Sequence, residues 1–409
     1  MVEKSKKTIV FLSIAVMCFI IYLACYATKS LLSVNSPFMI RDGYDSVAIG
    51  AMSSVYFLCY GAGQLFVGFI GDKIKLKYML LMGLGVAGVA CFSFVLFGST
   101  LVKSVSWGVC GFGLSFLYAP LVKCVSDRLE GKQAETCMVL LNFASILGST
   151  VAGVFGAFGN WKISTVIFAS ILVFLAIVSF VFNLVFDKKF PISREIDALD
   201  TKNEKTASMP MKEFVRYWFK NGAVAFILIS AIQGIAKNSI TFWIPTYISD
   251  FLGFEPKIAS IIFSVMTLIS AVNQVIAIWL YHLMKDKIEW VIRFSFFLST
   301  VCFLLLIPIK NVYANLVLLL VAKSGYSWAG TMIWTFYCRR FKNVSRVAFV
   351  VGFLDFVSYL FSAISSLLFS EAIIKIGWIY LIVIWSALMI VGVLSTLFYR
   401  VENNDTVNN

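Results

Sequence analysis

The chain is predicted to be an all-α membrane protein, with twelve transmembrane helices in two pseudo-symmetric halves of six. Three observations predict it. Of 409 residues, 60% are hydrophobic and only 13% charged, against roughly 25% charged in a soluble domain. Apolar runs of 18 or more residues recur along the whole length, and each is long enough to cross a bilayer. A short figure also returns about two hundred residues on: Lys29 is followed eight positions later by Pro37, and Lys237 eight positions later by Pro245. A Gly-aromatic-acid triplet closes each copy, Gly43-Tyr44-Asp45 and Gly253-Phe254-Glu255.

The first six apolar segments run near 8–34, 45–70, 78–98, 104–123, 136–158 and 164–186. The last six run near 221–248, 257–283, 289–309, 312–337, 346–370 and 377–399. This gives an N-terminal half 1–186, a polar central loop 187–220, a C-terminal half 221–400 and a polar tail 401–409. The first segment is too long for a signal-peptide core and lacks a small-residue cleavage site, so it is expected to be retained. With the N-terminus in the cytoplasm, 25 Lys and Arg fall in cytoplasmic segments and six in outside loops: Arg41, Lys103, Lys162, Lys257, Lys310 and Lys375. That excess predicts cytoplasmic termini and a cytoplasmic central loop. It also accounts for the net charge of +13 without nucleic acid. Within the loop, Met211–Phe219 reads as an amphipathic lead-in to the seventh helix.

The same composition argues against an enzyme. No His/Asp/Glu or Cys constellation is present. The nine cysteines have no metal-ligand spacing, so neither metal nor cofactor is expected. The lone histidine, His282, reads as a surface or interface residue. Trp161 and Trp378 read as interfacial belt residues. No nucleotide-binding loop occurs, so any transport is expected to be gradient-driven.

Charge inside the apolar runs is what remains to be explained. A lysine at membrane depth costs roughly 3 kcal/mol or more on insertion scales. Lys29 and Lys237 hold the same place in the two copies of the repeat, which favours one shared purpose over two private ones. Repeats of this kind build secondary transporters, with the substrate held between them near the bilayer midplane. Two cations in one cavity need a counter-charge, so a small anionic substrate is expected. Asp355 is the one acid well inside a predicted helix, and so the candidate proton site. Lys323 is read as its ion-pair partner.

The loop after the second segment, Gly68-Phe-Ile-Gly-Asp72-Lys73-Ile-Lys75-Leu-Lys77, resembles the cytoplasmic signature of the major facilitator superfamily. The match holds at Gly68, Asp72, Lys73 and Lys77; Lys75 and Leu76 stand where the family usually has glycine and arginine. The resemblance implies a cytoplasmic gate latched by Asp72 and Lys73, with Gly68 at its helix end. Within that superfamily, Tyr26-x-x-Lys29 with Pro37, and Lys237 with Trp243-Ile-Pro245-Thr246-Tyr247, look like the organophosphate:phosphate antiporters. Tyr60-Gly61, Pro120 and Asn142-Phe-Ala-Ser145-Ile-Leu-Gly148 extend the likeness. The resemblance implies that Lys29 and Lys237 stand where that family presents two arginines to the substrate phosphate. Tyr26, Tyr60, Asn142, Ser145 and Gln64 are then lining candidates. Ser145 departs from a usual histidine; Gln64 and Thr267 depart from a lysine and a glutamate of the glycerol-3-phosphate transporter. Lysine lacks arginine's bidentate fork, so a phosphate ester and a carboxylate both stay open. Proton- or cation-coupled symporters of sugar acids share the Trp-x-Pro-Thr-Tyr stretch. A non-transporting sugar-phosphate sensor is a further reading. A monomer in the inner (plasma) membrane is expected.

Overall fold

A computed structural model describes residues 2–70, 74–190, 209–344 and 346–399. Among these, twelve helices are long and apolar enough to span a membrane. In order, they are Thr8–Arg41, Ser46–Gly68, Leu76–Leu96, Thr100–Arg128, Gly131–Gly156, Trp161–Lys189, Ala223–Phe251, Pro256–Leu283, Ile288–Leu306, Val312–Phe341, Phe349–Lys375 and Gly377–Phe398. Lipid cannot hydrogen-bond a backbone, so each apolar run must satisfy its peptide groups internally and becomes a helix. Local chemistry sets the ends. Asn160 caps the sixth span by accepting from the backbone N–H of Lys162 and Ile163. Asn311 caps the tenth by accepting from Ala314, and Pro256 opens the eighth. The two glycines of the repeated triplet both take positive φ, +93° at Gly43 and +76° at Gly253, so the sequence repeat is a repeat of backbone turns as well.

Both repeat prolines lie inside their helices. A proline removes one i→i−4 bond and leaves a carbonyl to be satisfied otherwise. At Pro37 that carbonyl belongs to Ser33, and the Ser36 hydroxyl donates to it at 2.7 Å. The seventh span instead loosens on both sides of Pro245, into π-helical turns at Ile235–Ile240 and Tyr247–Phe251.

The spans pair alike in the two sequence halves. In the first, spans one and five, two and four, and three and six pack together; in the second, eight and ten, and nine and twelve. Spans seven and eleven are joined by hydrogen bonds, Ser230 to Ser358 at 2.9 Å and Asn238 to Ser362 at 3.0 Å. Close approach depends on glycine: a side chain at Gly148 would strike the backbone of Leu23 and Ala27, and one at Gly234 the backbone of Ser358.

The chain divides into two compact units. One unit holds the first six spans together with Phe242–Ala271 and Ala363–Ile374. In it, the ends of spans seven, eight and eleven are tied to spans one, five and two. Ser33 donates to the Phe242 carbonyl at 2.6 Å, and Ser36 and Thr246 share a 2.6 Å bond in which Thr246 is the donor, since Ser36 already gives its proton to Ser33. Ser264 donates to the Thr150 carbonyl at 3.0 Å, and the Ser53 and Ser366 hydroxyls bond to each other. We call this the tied end. The other unit holds the seventh span up to Thr241, Val272–Ser362, and the twelfth span.

The amphipathic lead-in expected at Met211–Phe219 is a helix, Met211–Lys220. Its apolar face packs on protein, with Phe214 and Trp218 buried and Trp218 donating to the Tyr337 hydroxyl at 3.0 Å. Two expectations change. Trp161 and Trp378 are buried within the protein instead of lying in a lipid-facing belt; Trp161 donates its indole N–H to Asp42 at 2.7 Å, and Trp378 packs edge-on to Trp385. Lys103, read as a loop charge, is 1% exposed. It donates to the Phe94 carbonyl at 2.5 Å and lies 5.0 Å from the ring centroids of both Phe94 and Trp161.

Candidate functional site

Lys29 sits about two-thirds of the way along the first span and is half-buried. Its ammonium lies over two phenol rings, 5.3 Å from the centroid of Tyr26 and 5.0 Å from that of Tyr60. Tyr26 is one turn away on the same helix; Tyr60 comes from the second span. An aromatic face attracts a cation by about 0.5–2 kcal/mol, so the rings hold the charge in place without neutralising it. More tyrosines continue the cluster. Tyr22 packs edge-on to Tyr26 at 5.0 Å and against Tyr118 at 5.4 Å, and Tyr56 stacks on Tyr60 at 5.9 Å. Of these, the sequence pattern points to Tyr26 and Tyr60; Tyr118 carries no such signal, since its approach depends on how the fourth span turns.

Gln64 lies one turn beyond Tyr60. Its Oε1 is buried and makes no hydrogen bond. Leaving such an acceptor unmet costs about 1–3 kcal/mol, so the position suits a ligand hydroxyl or N–H. The fifth span closes the group. Ser149 accepts from Ser30 at 2.8 Å. Ser145 is half-buried and donates to the Asn142 carbonyl at 2.7 Å, while Asn142 is exposed and donates to Met138 at 3.2 Å. Both therefore engage their own helix and are accessible without being committed to any partner across it.

Lys237 lies in the π-helical turn Ile235–Ile240 of the seventh span. It is exposed while Ala231–Ala236 and Asn238–Ile240 are buried. The wide turn thus isolates one cation in a buried wall, and π turns of this sort recur at functional sites. Its neighbours are polar. Thr241, one turn on, shares a 2.9 Å bond with the Tyr326 hydroxyl. Gln233, one turn back, packs on Gly330 with its Oε1 buried and unbonded. Gln233 is not among the residues the sequence puts forward; the signal for it is its i−4 spacing from Lys237. Along their own helices, Ser33 follows Lys29 by four residues and Phe242 follows Lys237 by five.

Lys323 is buried and Asp355 half-buried, but the expected ion pair between them does not fit the helix register. Tyr326, beside Lys323, meets the seventh span at Thr241, whereas Leu354, beside Asp355, meets it at Ser230. Those two contacts are eleven residues apart, about 16 Å of helix rise. Asp355 lies instead within electrostatic range of Cys338, near the far end of the tenth span. Of the loop motif, Gly68 is exposed with open space around it. Asp72 and Lys73 lie outside the described residues.

Residues 18–366 match the sequence model of the Major Facilitator Superfamily. Two curated proteins, each named a probable hexose phosphate transport protein, resemble part of the chain. The one from Chlamydia pneumoniae is 24% identical over 109 residues, 26% of this chain and 24% of its own length. The one from Chlamydia trachomatis is 22% identical over 119 residues, 29% of this chain and 26% of its own. The chain thus matches about a quarter of the length of these relatives. Among solved structures, a nucleoside transporter superposes with a TM-score of 0.72 at 14% identity, covering 96% of this chain and 100% of that one. A D-xylose-proton symporter superposes with a TM-score of 0.67 at 15% identity, covering 95% and 97%. These likenesses bear on the fold.

Proposed function

This chain belongs to the Major Facilitator Superfamily and is a multi-pass membrane transporter, not an enzyme, and from that premise we propose that it carries a small organic anion with hydroxyl groups, a sugar phosphate above all. The observation that carries the proposal is the seating of Lys29 on Tyr26 and Tyr60, with its repeat counterpart Lys237 as the one exposed side chain in a buried stretch of the seventh span. Each lysine would supply charge to the same anionic group. Gln64 and Gln233, each with an unbonded buried Oε1, would accept from cargo hydroxyls. The names of the two chlamydial relatives support a hexose phosphate. A sugar acid would use the same lysines and is the second reading, because an ammonium does not select phosphate geometry over carboxylate. Asn142 and Ser145 are assigned to the lining of the pathway, and Gly68, Asp72 and Lys73 to a gate at the opposite end from the tied one.

The charge asymmetry of the loops supports an orientation with the tied end outside and both termini in the cytoplasm, in the plasma membrane. Residues 187–220 then connect two six-helix halves on the cytoplasmic side, and the protein works as a monomer. Alternating access would require the serine bonds of the tied end to part. No step needs a nucleotide; the drive is exchange for inorganic phosphate, or a proton carried on Asp355.

Reconstituted counterflow tests the cargo. Vesicles loaded with glucose 6-phosphate should accumulate labelled glucose 6-phosphate, while gluconate loading should not drive it. Counterflow with gluconate alone would overturn the phosphate-ester reading in favour of the sugar acid. In the same vesicles Asp355→Asn should abolish uptake driven by an imposed pH gradient and leave exchange within about twofold of the parent. Unchanged uptake in both modes would make Asp355 structural.

A further inference from the structure

A second cluster of cations lies at the tied end, well away from Lys29. A cavity of about 310 Å³ opens there between the end of the first span and the starts of the sixth and eighth. Its charged lining is Arg41, Lys162 and Lys257, with Asp42 and Glu255. Three of the six basic residues assigned to outside loops therefore converge on one hollow. At ~30 Å³ per water, it has room for an oxyanion with part of its hydration shell.

The acids do not cancel these cations. Asp42 is drawn aside by the indole N–H of Trp161, at 2.7 Å. Glu255 makes no ion pair within 4 Å among the described residues. The lysines are placed. Lys162 lies over the Trp161 ring at 5.5 Å. The methylenes of Lys257 lie along the turn at Gly159, whose φ is +79° and where a Cβ would come within 2.6 Å of Lys257 Cε. A side chain larger than hydrogen at Gly159 would both strain the turn and push Lys257 away.

We propose that this cavity is an external anion site, distinct from the cargo site, which takes inorganic phosphate or the phosphate group of an ester and favours the tied state. Its walls come from spans one, six and eight. Parting the tied end separates Lys257 from Arg41 and Lys162, so the full cluster exists only while the end is closed. A ligand that binds one state alone stabilises it by mass action. The site is open to solvent, so its affinity falls steeply with salt. This inference does not depend on which cargo the transporter carries.

Equilibrium binding of radiolabelled inorganic phosphate to the purified full-length protein tests it. Lys29→Ala with Lys237→Ala removes the proposed cargo lysines and should leave about one phosphate bound per chain. Adding Arg41→Gln and Lys257→Gln should weaken that binding at least roughly tenfold, whereas Arg41→Lys with Lys257→Arg, which keeps the charges, should retain it. Loss of all phosphate binding in the first variant would overturn the proposal while leaving the cargo reading intact. Binding that survives Arg41→Gln with Lys257→Gln would show an adventitious ion only. Cysteines at Ser36 and Thr246, whose hydroxyls are 2.6 Å apart, allow the end to be locked by oxidation. The oxidised protein should bind phosphate several-fold more tightly than the reduced one; equal affinity would remove the link to the closed state.

Discussion

Lys29→Ala and Lys237→Ala are each expected to lower cargo transport roughly 10- to 100-fold, with normal amounts of protein in the membrane. A charge-assisted bond to a shielded anion is worth about 1.5–3 kcal/mol, and each 1.4 kcal/mol is tenfold in affinity. Removing one of two cations also weakens the field at the other. Folding should be spared. Lys29 is half-buried and Lys237 exposed, so truncation at either leaves no large void, and at Lys29 it forfeits the attraction of two rings. The conservative change then separates the two cargo readings. Lys29→Arg with Lys237→Arg supplies two planar forks matched to phosphate oxygens. It should keep or improve counterflow of a sugar phosphate. Initial rates in vesicles, normalised to reconstituted protein, decide the matter: wild-type rates from either alanine variant would remove the lysines from the cargo site.

Why some of this was legible in the sequence and some was not follows from which forces are local. The spans were legible because lipid leaves an apolar run no choice but helix. The repeat was legible because a lysine, a proline and a glycine each carry a local consequence: Pro37 and Pro245 both interrupt a helix, and Gly43 and Gly253 both turn with positive φ. Lys103 was misplaced for the opposite reason. Its burial depends on Phe94 and Trp161 arriving from other elements, and a sequence window cannot see them. Pairing Lys323 with Asp355 failed on register. The two helices are adjacent in the chain, but the sequence does not say at which level their residues meet, and the Tyr326–Thr241 and Ser230–Leu354 contacts set the levels apart. The tying serines were equally hidden. Serine is unremarkable in a membrane helix until its partner is known, and Ser33 finds one 209 positions away.

The largest conformational effect is expected at Gly153. A side chain there would overlap the Ser264 hydroxyl and come within 2.8 Å of the Ser260 carbonyl. The hydroxyl can rotate away, but the carbonyl is backbone and cannot. Overpacking of this kind costs about 1–3 kcal/mol, and only the tied state is affected, because only there do spans five and eight meet so closely. Gly153→Leu should therefore shift the population roughly 5- to 150-fold toward the parted state. A cysteine at Ser33, which is 4% exposed in the tied state, reads this out in a background freed of the nine native cysteines. An impermeant maleimide added outside should label it rapidly with Gly153→Leu and slowly without. No gain in labelling would mean that the seam tolerates the side chain and does not gate. Gly148 supplies the contrast, five residues away on the same helix. Its obstruction is the backbone of Leu23 and Ala27 on the first span, which belongs to the same six-span half of the sequence as the fifth. Gly148→Leu is thus expected to reduce the amount of folded protein without exposing Ser33. Two glycines of one helix would then separate the packing that makes a half from the packing that closes a path.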